Sequence, residues 1–395
     1  MLVAVVAVAY LATHVASEWL ARRFLIVSGA EYLVLGILLG PQVSGVLGQG
    51  ALQSFAPVTT LALGWIGATV GIRLFLPDLV RIPGQLYRIA FAETFFTFAA
   101  VALLELVAIM FLFDLSLQWA ALPALALGAL GATSASQGID VVAARLGHRT
   151  GLLAQLELSV TVNALLAIVT LTLLACLYHP PPAGAVRAPT ATEWAVISVA
   201  LGVIGGALFH LFLGRERDID RLFIALAGAI ILVSGAASFL ALSPLLPATL
   251  VAAILVNTST AREEIAGALM RADRPFYFVL LIFAGASWQP SSRAWFLPVL
   301  LFIAARFMGK LGGARLAARA NHALPSLGPH WGRALLGHGG LALALALDYE
   351  NSHHALLPHV VFTAAIALVL LTDLASARMV SSVVEPIGPP APARS

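Results

Sequence analysis

Long apolar stretches follow one another along almost the whole chain, separated by short polar segments. Windows near the roughly 20 residues that a helix needs to cross a bilayer predict thirteen membrane spans, at 2–20, 24–40, 57–76, 85–113, 117–143, 151–178, 191–213, 221–242, 243–259, 274–290, 294–319, 330–348 and 355–378. The first window begins at Leu2 without a charged leader, so we interpret it as a span, with a cleaved signal peptide as the weaker alternative. The pattern predicts an all-α polytopic membrane protein.

Two of these windows are interrupted by glycine and polar residues. Span five contains Thr133, Ser134 and Gln137 within the segment 131–138, and span twelve contains the run Gly337-His338-Gly339-Gly340. Backbone released from helical hydrogen bonding survives at membrane depth only where protein or a water-filled cavity satisfies it. Discontinuous helices of this kind form the substrate sites of many secondary transporters.

The two interruptions occupy matching places in the chain. An odd number of spans allows two six-span halves, about 1–178 and 221–380, joined by the linker helix 191–213. Corresponding spans then run in opposite directions, and spans five and twelve are the same member of each half. The sequence therefore predicts an inverted repeat with two crossed broken helices. The proline-rich tail, 381–395, is predicted to be disordered.

Composition narrows the functional class. Hydrophobic residues make up 60% of the chain, charged residues 10%, and the mean hydropathy is +0.96, which excludes an ordinary soluble domain. The net charge of +3 comes from basic residues scattered over short loops, so we expect no nucleic-acid partner. No nucleotide, hydrolase or dinucleotide motif occurs, and we predict neither an enzyme nor a cofactor.

Cysteine and histidine give little evidence of special chemistry. Cys176 is the single cysteine, so it has no partner for an internal disulfide, and a small apolar packing residue is the better interpretation. His353, His354 and His359 cluster near a predicted outer loop without the carboxylates and spacing of a metal site. We interpret them as surface histidines and predict no metal.

Arginine is distributed unequally between the two sides. With the N-terminus outside, the outer loops receive Arg187 and Arg293, whereas the inner loops receive Arg22, Arg23, Arg81, Arg88, Arg145, Arg149, Arg215, Arg217, Arg221, Arg262, Arg271, Arg274, Arg315, Arg319 and Arg333. Since Lys and Arg accumulate in cytoplasmic loops, the N-terminus is predicted outside and the C-terminus in the cytoplasm.

Several segments, in order, resemble the monovalent cation:proton antiporters, in particular bacterial sodium/proton and potassium/proton exchangers. The matching segments are EYLVLGILLGP (31–41), GATSASQGIDVVAARLG (131–147), LSVTVNALLAI (158–168), FYFVLLIFAGASW (276–288), ARFMGKLGG (305–313) and GHGGLALALAL (337–347). The resemblance implies a core domain with two crossed broken helices, a dimerisation domain and a homodimer. It also implies a bacterial inner membrane protein that exchanges a small ion for protons.

One departure from the family concerns the ion site itself. The family carries a carboxylate as the second residue of a pair midway along the sixth span, and this pair reads Asn163-Ala164 here. Some members also place a lysine in span ten opposite that acid, and none occurs between Phe276 and Trp288. The absence of the lysine is consistent with the absence of the acid, because a lysine without that acid would be a lone cation at bilayer depth, which is costly.

Seven residues are candidates for ion or substrate binding: Thr133, Ser134, Gln137, Glu157, Asn163, Arg306 and His338. The first two match the threonine-serine of the family at the break, where hydroxyls and carbonyls can replace part of a hydration shell. Alternatively, they stabilise the kink by bonding a carbonyl one turn back. Asn163 either binds the substrate or holds the broken helices in register. Glu157 is a relocated proton carrier or a snorkelling or paired residue.

The remaining ionisable residues each have two interpretations. Arg306 neutralises the carbonyl end of a broken helix or pairs with an acid such as Glu157, whereas a position snorkelling toward the interface suits Lys310 better. His338 is a proton-coupling residue or, more ordinarily, a neutral histidine bonded to carbonyls. Three further acids in predicted spans are expected to include interhelical pairs: Glu31, Glu93 and Glu105.

Three functional hypotheses remain open from the sequence. The first is a secondary transporter that exchanges a monovalent cation for protons by alternating access, with another acid replacing the one missing at Ala164. The second keeps transport but gives Asn163 and the broken-helix N-termini an anion or a neutral solute. The third is a membrane sensor or scaffold that kept the fold and lost transport.

Overall fold

The computed structural model describes residues 29–146, 151–180, 187–213, 218–289, 296–352 and 356–384, and all regular structure in this part of the chain is helical. The helices of nine or more residues are α1 (Ala30–Leu39), α2 (Ala56–Gly71), α3 (Gly84–Phe113), α4 (Leu117–Ala132), α5 (Gln137–Leu146), α6 (Gly151–Leu177), α7 (Ala191–Leu213), α8 (Ile219–Phe239), α9 (Leu245–Thr258), α10 (Arg262–Ser287), α11 (Phe296–Ala320), α12 (Gly340–Asn351), α13 (Pro358–Thr372) and α14 (Ser376–Val384). Shorter helical turns are Gln49–Ser54, Leu76–Val80, Leu324–Leu327, Trp331–Leu335 and Asp373–Ala375.

The predicted spans from the second onward coincide with these helices, singly or in pairs. The largest difference is in α10, which begins at Arg262 and not at residue 274, because its charged first turns are helical although they lack the hydropathy of a span. Helix α14 continues to Val384, past the predicted start of the tail at 381, since Val383 and Val384 pack against a buried apolar cluster. The first predicted span lies outside the described residues.

The number of membrane crossings is established only in part. Among the described residues, six helices are long and apolar enough to cross a membrane, or seven if the bent pair α13 and α14 counts as one span. One of the six is Leu117–Leu146, which combines α4 and α5. Helices α2 and α9 are apolar but shorter. The all-helical membrane fold is therefore confirmed, whereas the count of thirteen remains a prediction.

The helices pack as two groups. The first group, which we call the crossing bundle, consists of α3, α4, α5, α6, α11, α12, α13 and α14. In it, α3 packs along both α4 and α11. The second bundle consists of α1, α2, α7, α8, α9 and α10. In it, α1 packs on α10, and α9 packs on α2 and α7. The crossing bundle thus corresponds to predicted spans four to six and eleven to thirteen.

Large apolar side chains remain exposed on the outer surfaces of both bundles. Phe111 on α3 is 86% exposed, and Phe239 at the end of α8 is 90% exposed. Such surface is unfavourable in water and suits contact with lipid tails. The polar side chains of the candidate site are instead buried inside the crossing bundle.

Both predicted breaks are present in the crossing bundle. Helix α4 ends at Ala132 because Thr133 adopts an extended backbone with ψ of 153°, and helix α5 begins at Gln137, after the four residues 133–136. The second break separates the 3₁₀ turn Trp331–Leu335 from α12, and Gly339 before α12 is extended, with φ of −101°. Each broken helix therefore presents a C-terminal and an N-terminal end inside the protein.

Candidate functional site at the crossing of two broken helices

The two breaks, 133–136 and 336–339, cross in direct contact, and we call this region the crossing. The amide of Ala135 donates to the carbonyl of Gly337 at 2.9 Å, and the Ser134 hydroxyl donates to the carbonyl of Leu335 at 2.9 Å. Gly339 allows this approach, since a Cβ there would lie 2.8 Å from Oε1 of Gln137 and 3.0 Å from Cβ of Ala135. Backbone groups freed by one break are thus partly satisfied by the other.

Arg306 of α11 binds the carbonyl ends of both broken helices. Its guanidinium donates to the carbonyls of Leu336 at 2.8 Å, Thr133 at 2.9 Å and Gly337 at 3.2 Å, and the side chain is fully buried. These carbonyls form the negative ends of helical segments, which a cation stabilises. Of the two sequence interpretations, the structure therefore shows neutralisation of carbonyl ends and not a pair with Glu157.

Lys310, one turn further along α11, binds the same region. Its ammonium donates to the Ala132 carbonyl at 2.6 Å and to Oε1 of Glu93 at 2.9 Å, and both side chains are 0% exposed. The expectation that Lys310 snorkels to the interface is therefore wrong. The reason is the acid on α3, which supplies a buried counter-charge that makes an interior position tolerable.

Glu93 is a carboxylate at the crossing whose role the sequence did not single out. Its Oε1 also accepts from the Thr97 hydroxyl at 3.2 Å, whereas Oε2 is buried and has no hydrogen-bond partner among the described residues. A buried carboxylate oxygen without a partner is costly. Glu93 thus supplies the negative charge that balances Lys310, and its Oε2 accepts no hydrogen bond from the described residues.

Asn163 of α6 connects its own helix and α3 to the crossing. Its amide nitrogen donates to the Ser134 hydroxyl at 3.1 Å, while its amide oxygen accepts from the Thr94 hydroxyl of α3. The side chain is fully buried, and the neighbouring Ala164 is 4% exposed within apolar packing. The position where the family resemblance implies a carboxylate is therefore occupied by a packed methyl group.

His338 lies inside the second break. Its Nδ1 is 3.4 Å from the Thr133 hydroxyl oxygen, which itself donates to the Leu130 carbonyl at 2.7 Å. Since that hydroxyl hydrogen is committed to the carbonyl, the histidine bonds it by carrying a proton on Nδ1. Nε2 is buried and has no hydrogen-bond partner among the described residues. In the neutral form this nitrogen is a free acceptor.

Two other predicted site residues lie at or beyond the edge of the crossing. Gln137 begins α5, and its Oε1 lies beside Gly339 without a hydrogen-bond partner within the described ranges. Glu157 is half-buried on α6, six residues before Asn163 and therefore about 9 Å away along the helix. The structure thus brings six of the seven candidate residues together and places Glu157 outside this group.

The sequence contains signals that could have pointed to the missed residues. Glu93, Thr94 and Thr97 place polar groups on adjacent turns of an otherwise apolar helix, and Lys310 follows Arg306 by four residues on the same face of α11. A spacing of four residues places the Arg306 and Lys310 side chains on one face of α11, so both can contact the same neighbouring segment. In the part of the chain that the structure describes, no three His, Cys, Asp or Glu residues are arranged to hold a metal ion.

Comparison with known proteins identifies the fold. No protein-family model and no curated protein sequence matches the chain. The structure of the sodium proton antiporter MjNhaP1 from Methanocaldococcus jannaschii at pH 8 matches with a TM-score of 0.68 over 98% of this chain and 99% of that chain, at 14% identity. An electron-microscopy structure of the same antiporter matches with a TM-score of 0.66 over 96% and 95%, at 15% identity.

Both matches cover nearly the whole chain, and both are to an antiporter and not to an enzyme. At such low identity the similarity shows the fold and not the substrate. It agrees with the two broken helices that cross inside a helical membrane protein. The chain therefore has the fold of the sodium proton antiporter MjNhaP1, in agreement with the fold that its sequence resemblance implied.

Proposed function

We propose that the protein is a secondary active transporter that exchanges a monovalent cation for protons by alternating access, with the crossing as its ion site. The observation that carries the proposal is the crossing of two broken helices around buried polar groups, on the fold of a sodium/proton antiporter. Broken helices at membrane depth are costly unless they line a site. The proposed site residues remain Thr133, Ser134, Gln137, Glu157, Asn163, Arg306 and His338.

The hydrogen bonds of the crossing favour a cation over an anion. Arg306 uses both terminal nitrogens on backbone carbonyls, and Lys310 is shared between a carbonyl and Glu93. An anion would have to compete with these acceptors for every donor nitrogen of the two side chains except Nε of Arg306, which has no partner within the described ranges. Oxygen atoms are abundant here, and hydroxyl, carbonyl and carboxylate oxygens are the ligands that hard cations prefer.

Alternating access requires one bundle to move against the other. A contact between them is made by Arg73, just after α2, which donates to the Ser136 hydroxyl at 2.8 Å and to Asp140 at 3.2 Å. The Arg73 and Asp140 side chains are 33% and 52% exposed, so this ion pair contributes about 0–1 kcal/mol and is easily exchanged for water. We propose that such weak contacts form and break as the crossing bundle moves.

The division into bundles also supports the proposed inverted repeat. The crossing bundle takes the last three spans of each proposed half, 1–178 and 221–380, and the segment 191–213 forms α7 between them. Helices α3 and α11, which pack together, occupy the same place in each half. We further propose a homodimer in a bacterial inner membrane, with the exposed apolar faces against lipid or the second subunit.

The test is ion-evoked proton movement in proteoliposomes that contain an internal pH dye. Pulses of Na⁺, K⁺ and Li⁺ are applied to liposomes with the native protein, to protein-free liposomes, and to liposomes with the Glu157→Gln variant. A pH change evoked by at least one cation supports the proposal. Flux that survives in Glu157→Gln removes Glu157 as the proton carrier.

Other outcomes identify the rival functions. A pH change or dye response evoked by chloride or organic anions, with none from any cation, would replace cation exchange by anion transport. No flux with any solute, together with a partner protein bound to the cytoplasmic loops, would indicate a sensor or scaffold. Either result contradicts the proposed function.

A further inference from the structure

We propose that Glu93 is the cation-binding carboxylate of the crossing, in place of the acid that Ala164 lacks, and that a bound cation displaces Lys310 from it. The inference rests on the proposed function, because it names the residue that holds the transported ion. It moves the essential charge from α6 to α3, where the neighbouring residue Thr94 donates to Asn163.

Charge placement is the first reason. Arg306 and Lys310 contribute two positive charges to the crossing, and Glu93 is the acid hydrogen-bonded to it within the described ranges, which leaves a formal excess of one positive charge. The two carbonyl ends, each equivalent to roughly −0.5 charge, are matched by the two helix N-termini at the breaks, each equivalent to roughly +0.5. The formal excess of one positive charge therefore remains, and a further cation needs a released carboxylate.

The position of the Lys310 ammonium is the second reason. It lies between a carboxylate oxygen of Glu93 and the Ala132 carbonyl oxygen, at 2.9 and 2.6 Å. A small monovalent cation seeks the same environment, a carboxylate and a helix-end carbonyl in a buried position. The ammonium thus occupies a place that suits the ion, and the two compete for the same oxygens.

The unused oxygen of Glu93 is the third reason. Oε2 is buried without a hydrogen-bond partner in the described part of the chain, although Thr97 and Lys310 both bond to Oε1. A purely structural ion pair in a buried site needs its remaining lone pairs satisfied to offset desolvation. An oxygen left without a partner is instead available to a ligand.

Proton release follows from the same charges. Adding one cation beside Arg306 and Lys310 would leave two uncompensated positive charges at membrane depth, which is costly. Loss of one proton from the Lys310 ammonium, by cleavage of an N–H bond to water on the open side, restores the original charge. One cation bound then corresponds to one proton released.

The experiment measures cation binding to purified protein in detergent at pH 8, through the rise in unfolding temperature with Na⁺, K⁺ or Li⁺ and with choline as the control for ionic strength. Native protein is compared with Glu93→Gln and with Glu105→Gln. Glu105 is a matched control, since it is also a fully buried acid of α3, lacks a hydrogen-bond partner within the described ranges, and lies twelve residues away, about 18 Å along the helix.

The expected result is saturable stabilisation of the native protein and of Glu105→Gln by one of the cations. For Glu93→Gln, the half-saturating concentration rises by about tenfold or more, which corresponds to about 1.4 kcal/mol of binding free energy. Lys310→Met, which removes the competitor, responds at lower cation concentration than the native protein.

A double variant, Glu93→Gln with Lys310→Met, guards against loss of folding, because replacing both partners of a buried pair is often neutral for stability. If the pair is only structural, the double variant responds to cations as the native protein does, and the inference is overturned. It is overturned equally if native protein binds no cation. Binding that needs Glu93 without any flux in liposomes would support the inference and contradict transport, so the two failures are distinguishable.

Discussion

At the scale of single residues, Arg306 and Asn163 connect the crossing to the helices around it. Arg306 reaches both breaks from α11, and Asn163 reaches the first break and α3 from α6. Neither residue can be replaced by a smaller polar group without leaving buried acceptors or donors unsatisfied. The cost of such unsatisfied groups makes both positions sensitive to substitution.

Replacing Arg306 by lysine is expected to destabilise the protein although the charge is kept. A lysine ammonium does not reproduce the planar fork that donates to three carbonyls of two segments. We expect a loss of about 1.5–3 kcal/mol in unfolding free energy, the range for a hydrogen bond to a charged group. Denaturation in detergent measures it, with Arg315→Lys on the exposed face of α11 as control. Equal stability of both variants would contradict the role given to Arg306.

Replacing Asn163 by alanine is expected to lower unfolding free energy by about 1–3 kcal/mol, because Ser134 and Thr94 each lose a buried partner. Ion-evoked flux should fall as well. Thr172→Val is the matched control, since Thr172 is 2% exposed on the same helix and its hydroxyl donates to Ile168, one turn back. If the two variants lose ion-evoked flux to the same extent, the Asn163 side chain has no specific role in ion binding.

At the scale of helices, the two breaks depend on close approach. Gly339 and Gln137 lie on different broken helices, and a methyl group at Gly339 has no space between Gln137 and Ala135. The crossing therefore places the α12 N-terminus against the start of α5. Small residues permit this approach, as they do between membrane helices generally.

Gly339→Ala is accordingly expected to destabilise the protein by about 1–3 kcal/mol through overpacking. Gly267→Ala is the control, because Gly267 is an exposed position of α10 with open space where its Cβ would lie. That substitution should be neutral or stabilise by about 0.5–1 kcal/mol, the difference between Gly and Ala inside a helix. Unfolding in detergent compares the two, and tolerance of alanine at Gly339 would contradict the contact.

Sequence patterns predicted the helices and both breaks, because membrane-length apolar windows and glycine-polar interruptions are local signals. For Arg306 they left two interpretations open, neutralisation of a carbonyl end and a pair with an acid such as Glu157. They did not predict the pair of Glu93 and Lys310, which are 217 residues apart. Their contact depends on how α3 packs along α11, and no local periodicity encodes that packing. Lys310 alone looked like an interfacial residue because its partner could not be identified.

At the scale of the whole molecule, the fold combines a polar crossing with a second bundle that shares a buried apolar cluster with the crossing bundle and also contacts it through the exposed ion pair of Arg73 and Asp140. The arginine distribution predicts which side of each bundle faces the cytoplasm. That orientation is independent of the site chemistry, since it depends on loop charges. It determines from which side the crossing receives cation or proton.

Orientation can be tested with single cysteines in a Cys176→Ala background, which removes the one native cysteine. Ser44→Cys lies in an exposed loop predicted outside, and Glu263→Cys is exposed near the start of α10, predicted inside. A membrane-impermeant thiol reagent applied to intact cells should label the first variant and label the second only after permeabilisation. The reverse pattern would mean that the chain is inserted with the opposite orientation.

If one cation bound at Glu93 displaces Lys310 and releases one proton from its ammonium, proton release must accompany cation binding. Calorimetric titration of the purified protein with the bound cation, in two buffers of different ionisation enthalpy, gives the number of protons released. We expect about one proton per cation for the native protein, by the charge balance at Lys310, and no proton release from Glu93→Gln. Cation binding without proton release, or release that persists in Glu93→Gln, would contradict it.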